Sequence, residues 1–128
     1  MKKLLLLVLA LVLLSACGQT TEKDQEAVYV SITAEQAKEL MDSGTDCVIL
    51  DVRTQEEFDG GHIPGAILIP DHEIGARAEA ELPDKDQLIL VYCRSGRRSK
   101  NAAQTLAELG YTNIKEFGGI IDWPYETQ

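Results

Sequence analysis

The sequence has few basic side chains and no apolar run long enough to cross a membrane. Its 128 residues include 12 Lys and Arg against 21 Asp and Glu, a formal net charge of -9 at pH 7. Nucleic acid is therefore excluded as a partner, because phosphate binding depends on clustered Lys and Arg. The apolar run Leu4–Leu14 is shorter than the about 20 residues that a membrane-spanning helix needs. A chain of this length has room for one domain, so a second catalytic domain is excluded as well.

The N-terminus has the layout of a secretory signal. Two lysines precede the apolar run, and two small residues separate it from Cys17. The stretch Leu14-Ser15-Ala16-Cys17 resembles the lipobox of bacterial lipoproteins, in which the Cys becomes the new N-terminus and is acylated. We therefore expect a signal peptide over 1–16 and lipidation of Cys17, with the protein anchored in the cell membrane and its domain on the extracytoplasmic side. Ordinary cleavage that leaves Cys17 as a free thiol is the alternative.

Residues 17–27 form a polar stretch without periodicity, which predicts a flexible tether, and residues 28–126 form the domain. Short apolar runs alternate there with helical patterns. The predicted strands are Tyr29–Ile32, Cys47–Val52, Ala66–Ile69, Leu88–Tyr92 and Ile114–Phe117, and the predicted helices begin near Thr33, Thr54, Glu73 and Ser99. Strands that are apolar on both faces are typical of a covered parallel sheet. The fold class is therefore α/β, with a small parallel sheet and helices on both faces in three layers.

The segment Cys93–Arg98 lies between the most apolar strand and a helix, at the sheet edge where ligands bind. A thiol there meets the unpaired N–H groups of a helix N-terminus and three arginines, which favour the thiolate. Gly96 permits a loop conformation that turns backbone amides toward an anion. We predict Cys93 as the nucleophile and the other five residues of the segment as the anion-binding site: Arg94, Ser95, Gly96, Arg97 and Arg98. The alternative is a buried Cys with arginines that only make the loop soluble.

The same segment has the Cys-Arg-x-Gly-x-Arg pattern of rhodanese (sulfurtransferase) domains. Three further motifs agree in order: Asp51-Val52-Arg53 with Glu56-Glu57-Phe58; Gly61-His62-Ile63-Pro64-Gly65-Ala66; and Gly118-Gly119 with Trp123. The chain thus resembles a single-domain rhodanese. The resemblance implies that Cys93 takes sulfur from a small anionic donor such as thiosulfate, becomes a persulfide and passes the sulfur to a thiol or to cyanide. It implies neither a metal nor an organic cofactor, and we expect a monomer.

Four other residues attract a functional interpretation. We expect Asp51 and Arg53, at the end of a strand, to support the loop rather than to react, and His62 to be structural because a thiolate mechanism requires no base. Cys47 begins its strand whereas Cys93 follows the end of its own. The two thiols therefore lie at opposite edges of a parallel sheet, beyond the ~7 Å between Cα atoms that a disulfide allows. We predict Cys47 to be a reduced core residue.

Two other functions are compatible with this fold. Phosphatases and arsenate reductases of the fold have a loop one residue longer, with the essential Arg six positions after the Cys. Here that position is Ser99, and the last Arg is at position 98, so the shorter loop favours sulfur over phosphate. The second alternative is a non-catalytic rhodanese module, although such modules usually lack the Cys that this chain retains.

Overall fold

The computed structural model describes residues 28–128. The predicted signal peptide, Cys17 and the tether lie outside the described residues. Five strands alternate with four helices: β1 Val30–Ser31, α1 Ala34–Asp42, β2 Cys47–Asp51, α2 Gln55–Asp59, β3 Ile67–Leu68, α3 Ile74–Glu81, β4 Leu88–Cys93, α4 Arg97–Glu108 and β5 Ile114–Gly119. Two 3-10 turns, Asp71–Glu73 and Ile120–Asp122, precede α3 and follow β5. From 28 to 128, no helix is long and apolar enough to cross a membrane.

All strand pairs are parallel, in the order β1-β5-β4-β2-β3. β4 lies at the centre, and all six of its residues are buried, because it has a neighbouring strand on each side and helices on both faces. β1 and β3 are edge strands of two residues each. Both are shorter than predicted, since an edge strand has a hydrogen-bonding neighbour on one side only.

The side chains of β4 alternate between two cores. Ile89, Val91 and Cys93 face the core formed with α3 and α4. Leu88, Leu90 and Tyr92 face the second core, which includes α1 and Trp123. This alternation follows from the two-residue period of a strand. It confirms the three-layer α/β fold and directs Cys93 toward α4.

Local sequence explains where two of the four helices begin. Thr33 Oγ1 accepts the N–H of Gln36 at 3.0 Å, and Gln36 Oε1 accepts the N–H of Thr33 at 2.9 Å, so the helix start predicted near Thr33 is confirmed and is a capping box. Thr54 and Glu57 form a second capping box before α2. The prediction for α4 was wrong, because that helix begins at Arg97 and not at Ser99.

Candidate active site

Cys93 is the last residue of β4, rather than the first residue after it, and its side chain is 1% exposed. The backbone N–H of Gly96 donates to Cys93 Sγ at 3.0 Å, and Ser99 Oγ lies 3.3 Å from the same sulfur. A hydrogen bond from a backbone amide favours a negatively charged sulfur. The predicted nucleophile therefore lies at the carboxyl end of the central strand, with a donor already directed at it.

Gly96 controls the start of α4. Its φ of 110° lies in the left-handed region, which other residues rarely adopt, and its carbonyl accepts the N–H of Lys100 at 3.2 Å. The turn that follows Cys93 is thus completed within three residues, and α4 begins earlier than its apolar pattern indicates. As a result, Arg97 and Arg98 lie in the first helical turn, next to unpaired backbone N–H groups.

The loop rests directly on β5. Cys93 is paired with Gly119 in the sheet, after a register shift that follows Val91, and Ile121 N–H donates to the carbonyl of Arg94 at 3.2 Å. A Cβ atom at position 119 would overlap the carbonyl of Arg94 and the Cα of Ser95. The glycine pair that the sequence places near the end of the chain therefore has a physical role at position 119, where it lets the loop backbone lie against the strand.

The three arginines of the loop occupy different environments. Arg98 makes a bidentate ion pair with Glu57, at 2.9 and 3.0 Å, and both side chains are half-buried. The Arg98 hydrogen bonds lower the pKa of Glu57 from its usual 4.5 to about 2. Arg94 and Arg97 are exposed, and neither is paired with a carboxylate from residues 28–128.

Sequence reasoning left open which arginine contacts substrate. The structure commits Arg98 to Glu57 and leaves the guanidinium groups of Arg94 and Arg97 open to solvent. An open cavity of about 360 Å³ extends from Arg94 along the α2 end of the sheet. Its lining residues are Arg53, Glu56, Glu57, Gly60, Gly61, Arg94, Ile120 and Thr127.

Asp51 and Arg53 lie in a buried network behind the loop. Arg53 donates to both carboxylate oxygens of Asp51, at 2.9 and 2.7 Å, and to the carbonyl of Gly61 at 2.8 Å. The Tyr92 hydroxyl donates to Asp51 at 2.6 Å and accepts the N–H of Ile63 at 3.1 Å. Burial and the Asp51 carboxylate raise the pKa of Tyr92. The pair is thus joined by a hydrogen bond to Tyr92, the strand residue that precedes Cys93.

The two histidines lie outside the Cys93 loop. His62 stacks on Phe58 with ring centroids 3.8 Å apart, and its Nδ1 donates to the carbonyl of that residue at 2.9 Å. His72 is exposed, with 73% of its side chain accessible. Trp123 is buried beside Phe117 in the α1-side core.

Cys47 and Cys93 are both free thiols. They lie at opposite ends of the neighbouring strands β2 and β4, since Cys47 is paired with Leu88. Cys47 is half-buried and packs against the α1-side core as a free thiol, so the prediction of a reduced core residue is confirmed. It begins β2, and part of the residue remains exposed there. Burial, with the nearby Asp46 carboxylate, still raises the pKa of its thiol.

Sequence reasoning missed one residue of the site. Glu116 on β5 is 2% exposed, and its Oε2 accepts the Ser99 hydroxyl at 2.6 Å, directly behind Cys93. The signal was present in the period of the strand, because Glu116 is two residues from the buried Ile114 and so enters the same core. From 28 to 128, the structure shows no group of His, Cys, Asp and Glu that could hold a metal ion.

The comparisons with known proteins agree with this geometry. The model of the rhodanese-like domain matches residues 33–124. The chain is 41% identical to the thiosulfate sulfurtransferase PspE of Escherichia coli over 73 residues, which are 57% of this chain and 70% of that protein. It is 38% identical to a sulfurtransferase of Allochromatium vinosum over 93 residues, 72% of this chain and 85% of that one.

Among solved structures, a rhodanese with anions from Escherichia coli aligns with a TM-score of 0.60 at 37% identity. The alignment covers 63% of this chain and 95% of that chain. The family match extends from Thr33, the cap of α1, to Pro124, and so includes both the loop after Cys93 and the strand on which that loop rests. The chain belongs to the rhodanese-like domain family, and sulfurtransferases are among its relatives.

Proposed function

We propose that this protein transfers a sulfur atom from a small anionic donor such as thiosulfate to a thiol or to cyanide, through a persulfide on Cys93. The supporting observation is the position of Cys93 Sγ, at the end of the central strand and 3.0 Å from the N–H of Gly96. The relatives named as sulfurtransferases support the same reaction class.

The reaction has two steps. The Cys93 thiolate attacks the outer sulfur of thiosulfate, a bond forms between the two sulfur atoms, and the bond to the sulfonate sulfur breaks, so that sulfite leaves with the bonding electron pair. Cyanide or a thiolate then attacks the outer sulfur of the persulfide, forms thiocyanate or a new persulfide, and returns the electron pair to Cys93. Covalent catalysis of this kind divides one transfer into two easier steps.

The loop supplies positive charge to an incoming anion. Arg94 and Arg97 are the two exposed arginines of the loop that follows Cys93, and we assign them to donor binding. Arg98 instead positions the first turn of α4 through Glu57 and adds its charge at a fixed place. Ser95 and Gly96 contribute backbone N–H groups, which stabilise the anionic persulfide and the departing sulfite as an oxyanion hole does.

Intact-mass measurement after incubation with thiosulfate tests this proposal. We expect the full chain to gain the mass of one sulfur atom, to lose it on addition of cyanide, and to release thiocyanate. Cys93→Ser abolishes both changes. Cys47→Ser is the matched control, because it removes the other described thiol and leaves the loop untouched. Hydrolysis of an aryl phosphate, with no persulfide formed from thiosulfate, would contradict the proposal and favour the alternative of a phosphatase.

We also propose that Cys17 carries lipid and anchors the protein on the extracytoplasmic side of the cell membrane. The support is the sequence pattern at positions 14–17, directly after the apolar run. Two or more acyl chains give stable anchoring, whereas one gives only marginal binding. We expect the full chain in the membrane fraction and an acylated Cys17 peptide by mass. Cys17→Ser should abolish both, and an unmodified Cys17 in the wild-type chain contradicts the proposal.

A further inference from the structure

Glu116 is a buried carboxylate that has no role in the two proposed steps of sulfur transfer. From 28 to 128, no Lys, Arg or His forms an ion pair with it. It accepts three hydrogen bonds: from the Ser99 hydroxyl at 2.6 Å, the N–H of Gly118 at 2.8 Å and the Ser31 hydroxyl at 3.3 Å. A buried carboxylate without a cation is costly when ionised. A second negative charge on Cys93, beside an ionised Glu116, would add to that cost.

Ser99 connects Glu116 to Cys93. Its Oγ lies 3.3 Å from Cys93 Sγ and 2.6 Å from Glu116 Oε2, and its side chain is fully buried. A hydroxyl has one donor and two acceptor positions, so it can accept from one neighbour while it donates to the other. The Gly96 carbonyl, at 3.0 Å, is a longer alternative acceptor for the same hydroxyl proton.

The thiol of Cys93 must lose its proton before it attacks a donor, because the thiolate is the nucleophile. Cys93 is 1% exposed, so its thiol is surrounded mainly by groups of the protein, and the proton acceptors nearest to it are protein groups. Ser99 is the one hydroxyl at hydrogen-bond distance from the sulfur among the described residues, and the group behind it is Glu116.

We propose that Glu116 accepts the thiol proton of Cys93 through Ser99. The S–H bond breaks as Ser99 Oγ takes that proton, and the hydroxyl proton of Ser99 passes to Glu116 Oε2. The electron pair of the S–H bond stays on the sulfur, so no oxidant or reductant is needed. The negative charge moves from the carboxylate to Cys93 Sγ, where the Gly96 N–H and the Ser99 hydroxyl both donate to it. This inference rests on the proposed role of Cys93 as nucleophile.

The proton remains on Glu116 during sulfur transfer, since the persulfide is itself an anion. The buried site then holds one negative charge instead of two when a dianion such as thiosulfate approaches, which lowers the electrostatic repulsion. The charged groups that face the pair are Arg98, with Glu57 and Asp71 beside it, and Lys100, whose ammonium group lies over Gly96.

Infrared difference spectroscopy of the full chain tests the proton transfer. Iodoacetamide alkylates Cys93 and removes the charge on the sulfur, after which Glu116 has no nearby anion and ionises. The carbonyl band of a protonated carboxylic acid should therefore disappear on alkylation at neutral pH. Glu116→Gln should show no such loss although Cys93 still reacts. Glu39→Gln, which removes an exposed carboxylate on α1, should behave as wild type.

A second variant keeps the proposal testable if the Glu116→Gln chain does not fold. Ser99→Ala removes the linking hydroxyl, and we expect the alkylation rate of Cys93 at neutral pH to fall at least about tenfold, the equivalent of one pH unit. A wild-type chain that loses no carboxylic acid band, or a Ser99→Ala chain that alkylates at the wild-type rate, overturns the inference. Alkylation needs no sulfur donor, so the two proposals can fail separately. If the carboxylic acid band is lost on alkylation but no persulfide forms with thiosulfate, the sulfur transfer is refuted and the proton transfer is not.

Discussion

Tyr92 and Cys93 are neighbours in β4, and their side chains enter opposite sides of the sheet. Tyr92 closes a network in which its hydroxyl donates to Asp51 and accepts from the N–H of Ile63. Cys93 opens onto a loop whose exposed Arg94 and Arg97 are unpaired within residues 28–128. Charges on the Tyr92 side are buried and matched, so that side stabilises the fold. On the Cys93 side Arg98 is paired with Glu57, whereas the charges of Arg94 and Arg97 are left available, so that side is suited to bind an anion.

The contrast shows how one strand serves two purposes. The two-residue period of β4 separates a closed network from a reactive thiol by a single peptide unit. Stability and chemistry can then be changed independently, provided that the substituted residue belongs to one side only. Four substitutions or conditions test this separation, in order of decreasing effect.

Asp51→Asn should have the largest effect, on the Tyr92 side. It leaves the buried guanidinium of Arg53 without its anion, and breaking a buried pair in this way costs about 3–5 kcal/mol. Urea unfolding should report the loss, and persulfide formation on Cys93 should persist at temperatures where the variant is folded. Tyr92→Phe is the milder companion, at about 1–3 kcal/mol for the lost hydroxyl. Loss of sulfur transfer in an Asp51→Asn chain that is still folded would show that the two sides are not separate.

Gly119→Ala should reduce activity most. The new methyl group overlaps the backbone of Arg94 and Ser95 and displaces the loop. We expect kcat/KM for thiosulfate to fall at least about 100-fold, since misplacement by about 1 Å has effects of this size. Gly75→Ala is the matched control, because a Cβ there meets no atom within 4 Å. Wild-type kinetics in Gly119→Ala would mean that the loop does not need its support on β5.

Arg94→Ala should weaken donor binding with little effect on the fold. One charge-assisted hydrogen bond corresponds to about a tenfold rise in KM for thiosulfate, and the rise should shrink at high salt. Stability should stay within about 0.5 kcal/mol of wild type, as for most surface substitutions. Arg77→Ala removes the same charge from α3, away from the loop, and should leave KM unchanged. Equal KM values for both variants would remove Arg94 from the donor site.

The Glu57–Arg98 pair should give the smallest effect, visible as a dependence of stability on pH. The pKa of Glu57 is lowered from 4.5 to about 2 in the folded protein, chiefly by Arg98. A lowered pKa means that the folded state favours the ionised form. The stabilisation is therefore complete above pH 4.5 and is lost as the pH falls toward 2.

Unfolding of wild type and Glu57→Gln, compared between pH 2 and pH 7, measures this contribution. We expect the difference in unfolding free energy to be constant above pH 4.5 and to vanish near pH 2. A difference that grows as the pH falls would contradict the assignment of the ion pair. Persulfide formation at neutral pH should change less in this variant than in Gly119→Ala.

The sequence by itself determined the features of the fold and site that depend on residues close together in the chain. The alternation of apolar strands with helices, the capping box of Thr33 and the loop that begins at Cys93 all follow from residues within a few positions of each other. They predict the three-layer sheet and identify the thiol at its ligand-binding edge. The sequence also places Cys47 and Cys93 at opposite edges of the sheet. Parallel strands all begin at one edge, and Cys47 begins its strand whereas Cys93 is at the end of its own.

Only the tertiary structure decided which polar groups meet. Tyr92 donates a hydrogen bond to Asp51, and Arg98 to Glu57, and each pair is 41 positions apart in the chain. Ser99 donates to Glu116, 17 positions away. No local pattern specifies these partners, because the strand order β5-β4-β2 brings together segments that are distant in sequence. The sequence specifies which reactive groups the loop contains. The packing of the sheet decides which charged groups are paired and stabilise the fold, and which stay available to bind a ligand.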